Sequence, residues 1–134
     1  MERSTGKEGV SKGMLWTGRV LSALVALMFI LDGVIHLLKP APVMEAFARL
    51  GYPLSASVGI GLLLLICTAI YVTPKTSILG AILLTGYLGG AVSTHVRVES
   101  SLFEMSFPVI LGVFVWVGVY LRDAELKNLV PLRH

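Results

Sequence analysis

Residues 15–38 read LWTGRVLSALVALMFILDGVIHLL. At about 1.5 Å per residue this run makes a helix of roughly 36 Å, longer than a hydrocarbon core of about 30 Å. A basic N-terminal stretch before an apolar run also describes a signal peptide. Here, however, the apolar run is too long, and its end, Ile35-His36-Leu37-Leu38-Lys39-Pro40, offers no small-residue cleavage site. The segment therefore reads as a retained transmembrane helix.

Three further stretches meet the same criterion, about 55–73, 76–96 and 107–121, the last being the shortest. The fold class expected is an all-α membrane protein: a four-transmembrane-helix bundle forming one domain over residues 1–134. Composition agrees. The 134 residues are 55% hydrophobic and only 14% charged, against about 25% charged in soluble domains. Mean hydropathy is +0.84. A soluble body this small would have too little interior to hide so much apolar surface.

An even number of spans puts both termini on one side. That side carries Arg3, Lys7, Lys12, Arg19, Lys75, Arg122, Lys127 and Arg133; the other carries Lys39, Arg49 and Arg97. The positive-inside rule then places both termini in the cytoplasm and the chain in the cell membrane. The net charge of +3 is spread over segment ends with no aromatic-interleaved patch, so it fits contacts with the lipid bilayer and excludes nucleic acid as a partner. One cysteine, Cys67, lies in an apolar run; it allows neither an internal disulfide nor a dithiol redox pair.

Residues 1–13 are polar and read as a disordered tail. After Pro40 and Pro42, the residues Val43, Met44, Phe47 and Leu50 recur at helical spacing, with Glu45 and Arg49 placed to pair at i,i+4. This predicts a short interfacial helix in the first outer loop, ended by Gly51 and Pro53. The second and third spans join through a tight Thr73-Pro74-Lys75-Thr76 turn. The third span holds Gly86, Gly89 and Gly90, with Gly86 and Gly90 in GxxxG spacing. Such residues let helix backbones approach closely in lipid, either within one subunit or in a homo-oligomer.

Ionisable groups inside a span cost roughly 2.5–3.5 kcal/mol each at its centre, so their presence points to function. Asp32 and His36 share a face of the first span. Thr94, His95 and Arg97 close the third, and Tyr87 lies within it. Odd-numbered spans run in the same direction, so both groups reach the outer side. If the first and third spans are neighbours, the groups converge. Four readings stay open: a structural polar network, a pocket for a quinone carbonyl or small polar ligand, a metal or haem site, and ion transport. His and Asp suit proton-linked binding near neutral pH. Metal-ligand spacing is missing, so no metal is assigned. Trp16, Trp116, Tyr71 and Tyr120 stand towards the inner ends of their spans, as belt or packing residues. Phosphate loops, nucleophile elbows and dinucleotide fingerprints are absent from the sequence, which leaves any catalytic residue unassigned.

The segment Gly80 to Val98, GAILLTGYLGGAVSTHVRV, resembles the hallmark of the DoxX-like membrane proteins. Asp32-Gly-Val-Ile-His36, Lys39-Pro-Ala-Pro42, Leu50-Gly-Tyr-Pro53, Tyr120-Leu-Arg-Asp123 and Leu129-Val-Pro-Leu-Arg133 do likewise. The resemblance implies a four-helix membrane bundle whose polar signature falls on Asp32, His36, Thr94, His95 and Arg97. It implies either an accessory or binding subunit with a protein partner, or a quinone-interacting subunit similar to that of a thiosulfate:quinone oxidoreductase. Distant relatives look like membrane chaperones or cargo receptors. In relatives, lysine often replaces His36, which speaks for a general cation there and against an obligate metal ligand. No cofactor is certain from the resemblance, and quinone is the one it allows.

Overall fold

The computed structural model describes residues 11–123 and 125–126. Among these residues the helices α1 (Lys12–Leu38), α2 (Ala41–Leu50), α3 (Ala56–Val72), α4 (Ser77–Arg97) and α5 (Leu102–Arg122) follow one another. A 3₁₀ turn, Pro74–Thr76, joins α3 to α4. No strand occurs among the described residues.

Local chemistry sets the boundaries. The Ser11 side chain caps α1 by accepting from the Met14 N–H at 3.2 Å. The helix therefore starts inside the stretch read as a disordered tail, while residues 1–10 lie outside those described. Lys39, at φ 50°, closes α1 by donating its N–H to the Ile35 carbonyl, and Pro40 prevents continuation. Gly51 ends α2 at φ 78°, a left-handed conformation that glycine adopts without steric cost. The short helix predicted after Pro42 is thus present. Its Glu45–Arg49 pair is not, because Arg49 turns to Glu104 on α5 at 2.8 Å.

One helix starts earlier than the apolar run read from the sequence. The last helix begins at 102, not 107, because Ser101 and Glu104 form a reciprocal capping box ahead of the apolar run. Hydropathy alone misses that polar first turn. The shortest bundle helix is consequently α3, with 17 residues, whereas α5 has 21. Residues 12–38, 74–97 and 102–122 are each long and apolar enough to cross a membrane; α3 is apolar but shorter, at the lower limit for a span. The described residues are all-helical, and three to four of the helices are apolar enough to span a membrane, as in a multi-pass membrane protein.

The four long helices form a ring in the order α1, α3, α4, α5, with each packed on its two neighbours. Thus α1 and α4, the first and third spans, lie on the diagonal; the expected adjacency does not occur. Small residues mark the real crossings. A Cβ on Gly18 would stand 2.8 Å from the Gly118 carbonyl oxygen, one on Gly61 would stand 2.7 Å from that of Gly33, and one on Gly80 would reach 2.3 Å from the Tyr71 backbone. These contacts pair the start of α1 with the end of α5, the end of α1 with the start of α3, and the end of α3 with the start of α4. The bundle is therefore antiparallel throughout.

Gly86, Gly89 and Gly90 pack against nothing: a Cβ at any of them meets open space. The inward face of α4 carries Ser77, Gly80, Ala81, Leu84 and Leu88. Gly86 and Gly90 each lie two residues, about 200° of rotation, from Leu84 and Leu88. The core consists of Val25, Phe29, Leu64, Leu84, Leu88, Leu111, Val115 and Val119 around Tyr71. Outside, Leu24, Leu27, Leu63, Ile66, Ile82 and Val113 are more than half exposed, an apolar girdle suited to lipid.

Candidate functional site

On α1 the buried residues Ser22, Val25 and Phe29 form a stripe at spacings of three and four. Asp32 and His36 continue it towards the end where α2 sits. The imidazole Nδ1 of His36 lies 3.6 Å from the Asp32 carboxylate and makes a 2.7 Å hydrogen bond with the Asp32 backbone oxygen. A carbonyl only accepts, so Nδ1 carries the hydrogen, and in the neutral ring Nε2 presents a lone pair. The His36 side chain is 16% exposed and that of Asp32 is 51% exposed. Asp32 thus stands half-exposed beside a largely covered His36, at the end of α1 that meets the start of α3.

Beside this pair lies α2, which packs on His36 through Phe47. Phe47 is 4% exposed, with its ring edge-on to His36 at 5.5 Å and to Tyr52 at 5.8 Å. Polar contacts hold the helix to the rest. Tyr52 Oη and Thr94 Oγ1 share a 2.8 Å hydrogen bond, the Arg97 guanidinium donates to the Leu50 carbonyl, and Arg49 pairs with Glu104. Glu104 belongs to the polar turn ahead of the apolar run of α5. Ser57, at the start of α3, donates to the His36 carbonyl at 2.6 Å, which satisfies an acceptor in the last turn of α1.

The residues singled out from sequence therefore divide into separate groups. Asp32 and His36 pair on α1, while Tyr87 packs against the core from the diagonal helix α4. Thr94 and Arg97 fasten the end of α2 and the connection that follows it. His95 turns to the α4–α5 connection, where Nδ1 meets Ser100 Oγ at 3.0 Å. No Arg97–Asp32 ion pair forms among the described residues, because the Arg97 guanidinium is engaged at the C-terminus of α2, where helix carbonyls attract a cation. Gly86, Gly89 and Gly90 lie outside this arrangement. Phe47, Tyr52, Leu50 and Glu104 have roles here that hydropathy could not indicate; the Leu50-Gly-Tyr-Pro53 motif was the available signal. Among the described residues, no three His, Cys, Asp or Glu side chains gather as metal ligands. Cys67 is buried and unpaired.

A concavity of about 440 Å³ opens between α4 and α5 and is lined by Leu88, Gly89, Val92, Pro108, Gly112 and Trp116. It is apolar. At its edge, Trp116 donates to Thr85 Oγ1 at 2.7 Å.

Phe47 is the main apolar anchor of α2, and truncating a buried Phe to Ala costs about 3–5 kcal/mol. In Phe47→Ala that loss should be local, since α2 packs far less closely on the bundle than the four long helices do on one another. Amide hydrogen exchange over 43–50 is expected to accelerate, with the core of α3 unchanged. Unaltered exchange in α2 would mean that the polar contacts hold it without Phe47.

Comparison with known proteins gives a family match. No curated protein and no solved structure matches the chain. The family model described as the DoxX-like family matches residues 20–118, a region that contains the Asp32–His36 pair, all of α2, and the Thr94–Arg97 terminus of α4. The chain belongs to the DoxX-like family.

Proposed function

We propose that the protein is an accessory or binding subunit of the cell membrane that receives a small polar ligand at the Asp32–His36 pair, with α2 as its cover and Tyr87 reaching towards it from α4. The observation that carries this reading is the half-exposed Asp32 carboxylate on an apolar, membrane-length helix. A charge in such a place is retained at a cost and points to binding. In this reading both termini are cytoplasmic, as the lysine and arginine asymmetry favours, and α2 lies at the outer surface. The outward glycines of α4 leave room for a neighbouring helix, from a partner protein or a second copy.

One observation favours a second reading, a quinone-interacting subunit of an oxidoreductase. The Tyr87 hydroxyl has no hydrogen-bond partner among the described residues, and a phenol can donate to a quinone carbonyl.

The test is accessibility. In a Cys67→Ser background, an Asp32→Cys protein in right-side-out vesicles is expected to react with a membrane-impermeant maleimide. Arg97→Ala, which removes the hold on Leu50, should speed the reaction. A cysteine that stays unlabelled in both backgrounds, or reacts only in inverted vesicles, would remove the outward-opening pocket.

A further inference from the structure

We propose that the end of the bundle where α1 begins and α5 closes holds one anionic phospholipid, with its phosphate bound by Arg122. This site stands at the other end of α1 from Asp32 and His36 and is independent of them.

Arg122, the last residue of α5, is part-buried. A guanidinium carries five N–H donors in a planar fork and keeps its charge at every ordinary pH. Here one donor reaches the Tyr71 carbonyl at 3.4 Å, and the group rests over the Tyr71 ring, 5.4 Å from its centroid. The Nε–H is sealed from solvent and has no acceptor. Nη1 has none either, and it is not sealed. No carboxylate pairs with Arg122 among the described residues. Asp123, next in the chain, spends its Oδ1 on the Glu125 and Leu126 N–H groups. The carbonyl and the ring of Tyr71 supply partial negative charge, and neither supplies a whole one. A partly desolvated cation without a counter-charge is costly to keep. Its open edge therefore suits an anion from outside the chain.

Depth in the membrane selects which anion. A Cβ on Gly18 would stand 3.0 Å from the Arg122 backbone nitrogen, so the start of α1 lies against the end of α5. Trp16 and Tyr120, each two residues from that contact, are exposed, and such rings mark the level of the headgroups. The anion abundant at that level is a lipid phosphate, two of whose oxygens match the edge of a guanidinium fork. The charge around it points to a lipid with net negative charge. Lys12, Arg19 and Lys75 stand at this end without an ion-pair partner among the described residues, and outnumber Asp123 and Glu125. At the opposite end Asp32, Glu45, Glu99 and Glu104 outnumber Lys39, Arg49 and Arg97. A zwitterionic headgroup would carry its own ammonium towards Arg19 and Lys75, whereas phosphatidylglycerol carries none.

The experiment is native mass spectrometry of the full chain in dodecyl maltoside, mixed with equal amounts of phosphatidylglycerol and phosphatidylcholine of the same acyl chains. One phosphatidylglycerol per chain is expected to survive detergent release, favoured by at least about tenfold, which corresponds to about 1.4 kcal/mol. Arg122→Gln, which keeps most of the stem and loses the charge, should bring the ratio close to one. Arg122→Lys keeps the charge without the fork and should retain part of the preference. Both are ratios between lipids on the same chain, so a loss of stability at the Tyr71 contact does not imitate the effect. Arg19→Gln removes an equal charge from the same end and should lower the ratio far less. Equal retention of the two lipids by the parent, or a preference that survives Arg122→Gln, would overturn the site. An equal loss in Arg19→Gln and Arg122→Gln would overturn it as well, leaving diffuse attraction by the basic end. Displacement of phosphatidylglycerol by inorganic phosphate would make the occupant a soluble anion and overturn the lipid.

Discussion

Placing a single methyl group on Gly80 is expected to part α3 from α4. The added Cβ would lie 2.3 Å from both Tyr71 Cα and Tyr71 N, and 2.7 Å from Tyr71 Cβ. These are backbone atoms at the close of one helix, linked by a 3₁₀ turn to the start of the next, so no flexible side-chain end can yield. The helices must separate along a seam where Tyr71, Ala81 and Leu84 are fully buried. Overpacking costs about 1–3 kcal/mol where side chains can adjust; with backbone against backbone, Gly80→Ala should reach or exceed the upper end. The readout is thermal unfolding in detergent. Gly86→Ala is the control: its Cβ meets open space, and replacing a mid-helix glycine by alanine adds up to about 1 kcal/mol of helix stability. If both variants melt like the parent, the α3–α4 contact at Tyr71 does not exist.

The second large effect is expected at Tyr71. Its hydroxyl donates to the Val115 carbonyl at 2.9 Å and meets Ser22 Oγ at 3.0 Å, which joins α3 to α5 and α1 deep in the bundle. The Arg122 guanidinium stands 5.4 Å from the ring centroid and donates to the Tyr71 carbonyl at 3.4 Å, so the end of α3 is held as well. Removing the whole ring in Tyr71→Ala should cost about 3–5 kcal/mol. Tyr71→Phe keeps the packing and leaves the buried Ser22 hydroxyl without this partner, for about 1–3 kcal/mol. A double-mutant cycle separates the terms. Once Tyr71 is Phe, Ser22→Ala should cost little more, because the unsatisfied hydroxyl goes with it. Strict additivity of the two substitutions would show that the Ser22–Tyr71 bond contributes nothing.

Tyr71 also shows how far a linear reading reaches. Its place near the end of an apolar run suits an interfacial ring or a packed one equally well, because hydropathy reports depth in the membrane and not the direction around the helix axis. Trp16, with a similar position in its span, is 62% exposed, whereas Tyr71 is 0% exposed. The glycines teach the same lesson. Gly86 and Gly90 carry the recognisable spacing, yet Gly18, Gly33, Gly61, Gly80 and Gly118 make the close approaches. A spacing defines a face; only the partner helix decides whether that face is inside.

Asp32 and His36 were legible as a pair because one helical turn places i and i+4 together whatever the tertiary fold does. The same holds for the number of long apolar helices, the tight turn at Pro74, and the short helix bounded by Pro40 and Gly51, all of which follow from properties local to the chain. What the sequence could not contain was the ring order that sets α1 diagonally from α4, the engagement of Arg97 at the Leu50 carbonyl instead of Asp32, and the position of Phe47 over His36. Each of these depends on atoms brought together from distant segments. Helix-on-helix packing in lipid has no hydrophobic drive and is decided by the fit of surfaces, which exists only once the helices are side by side.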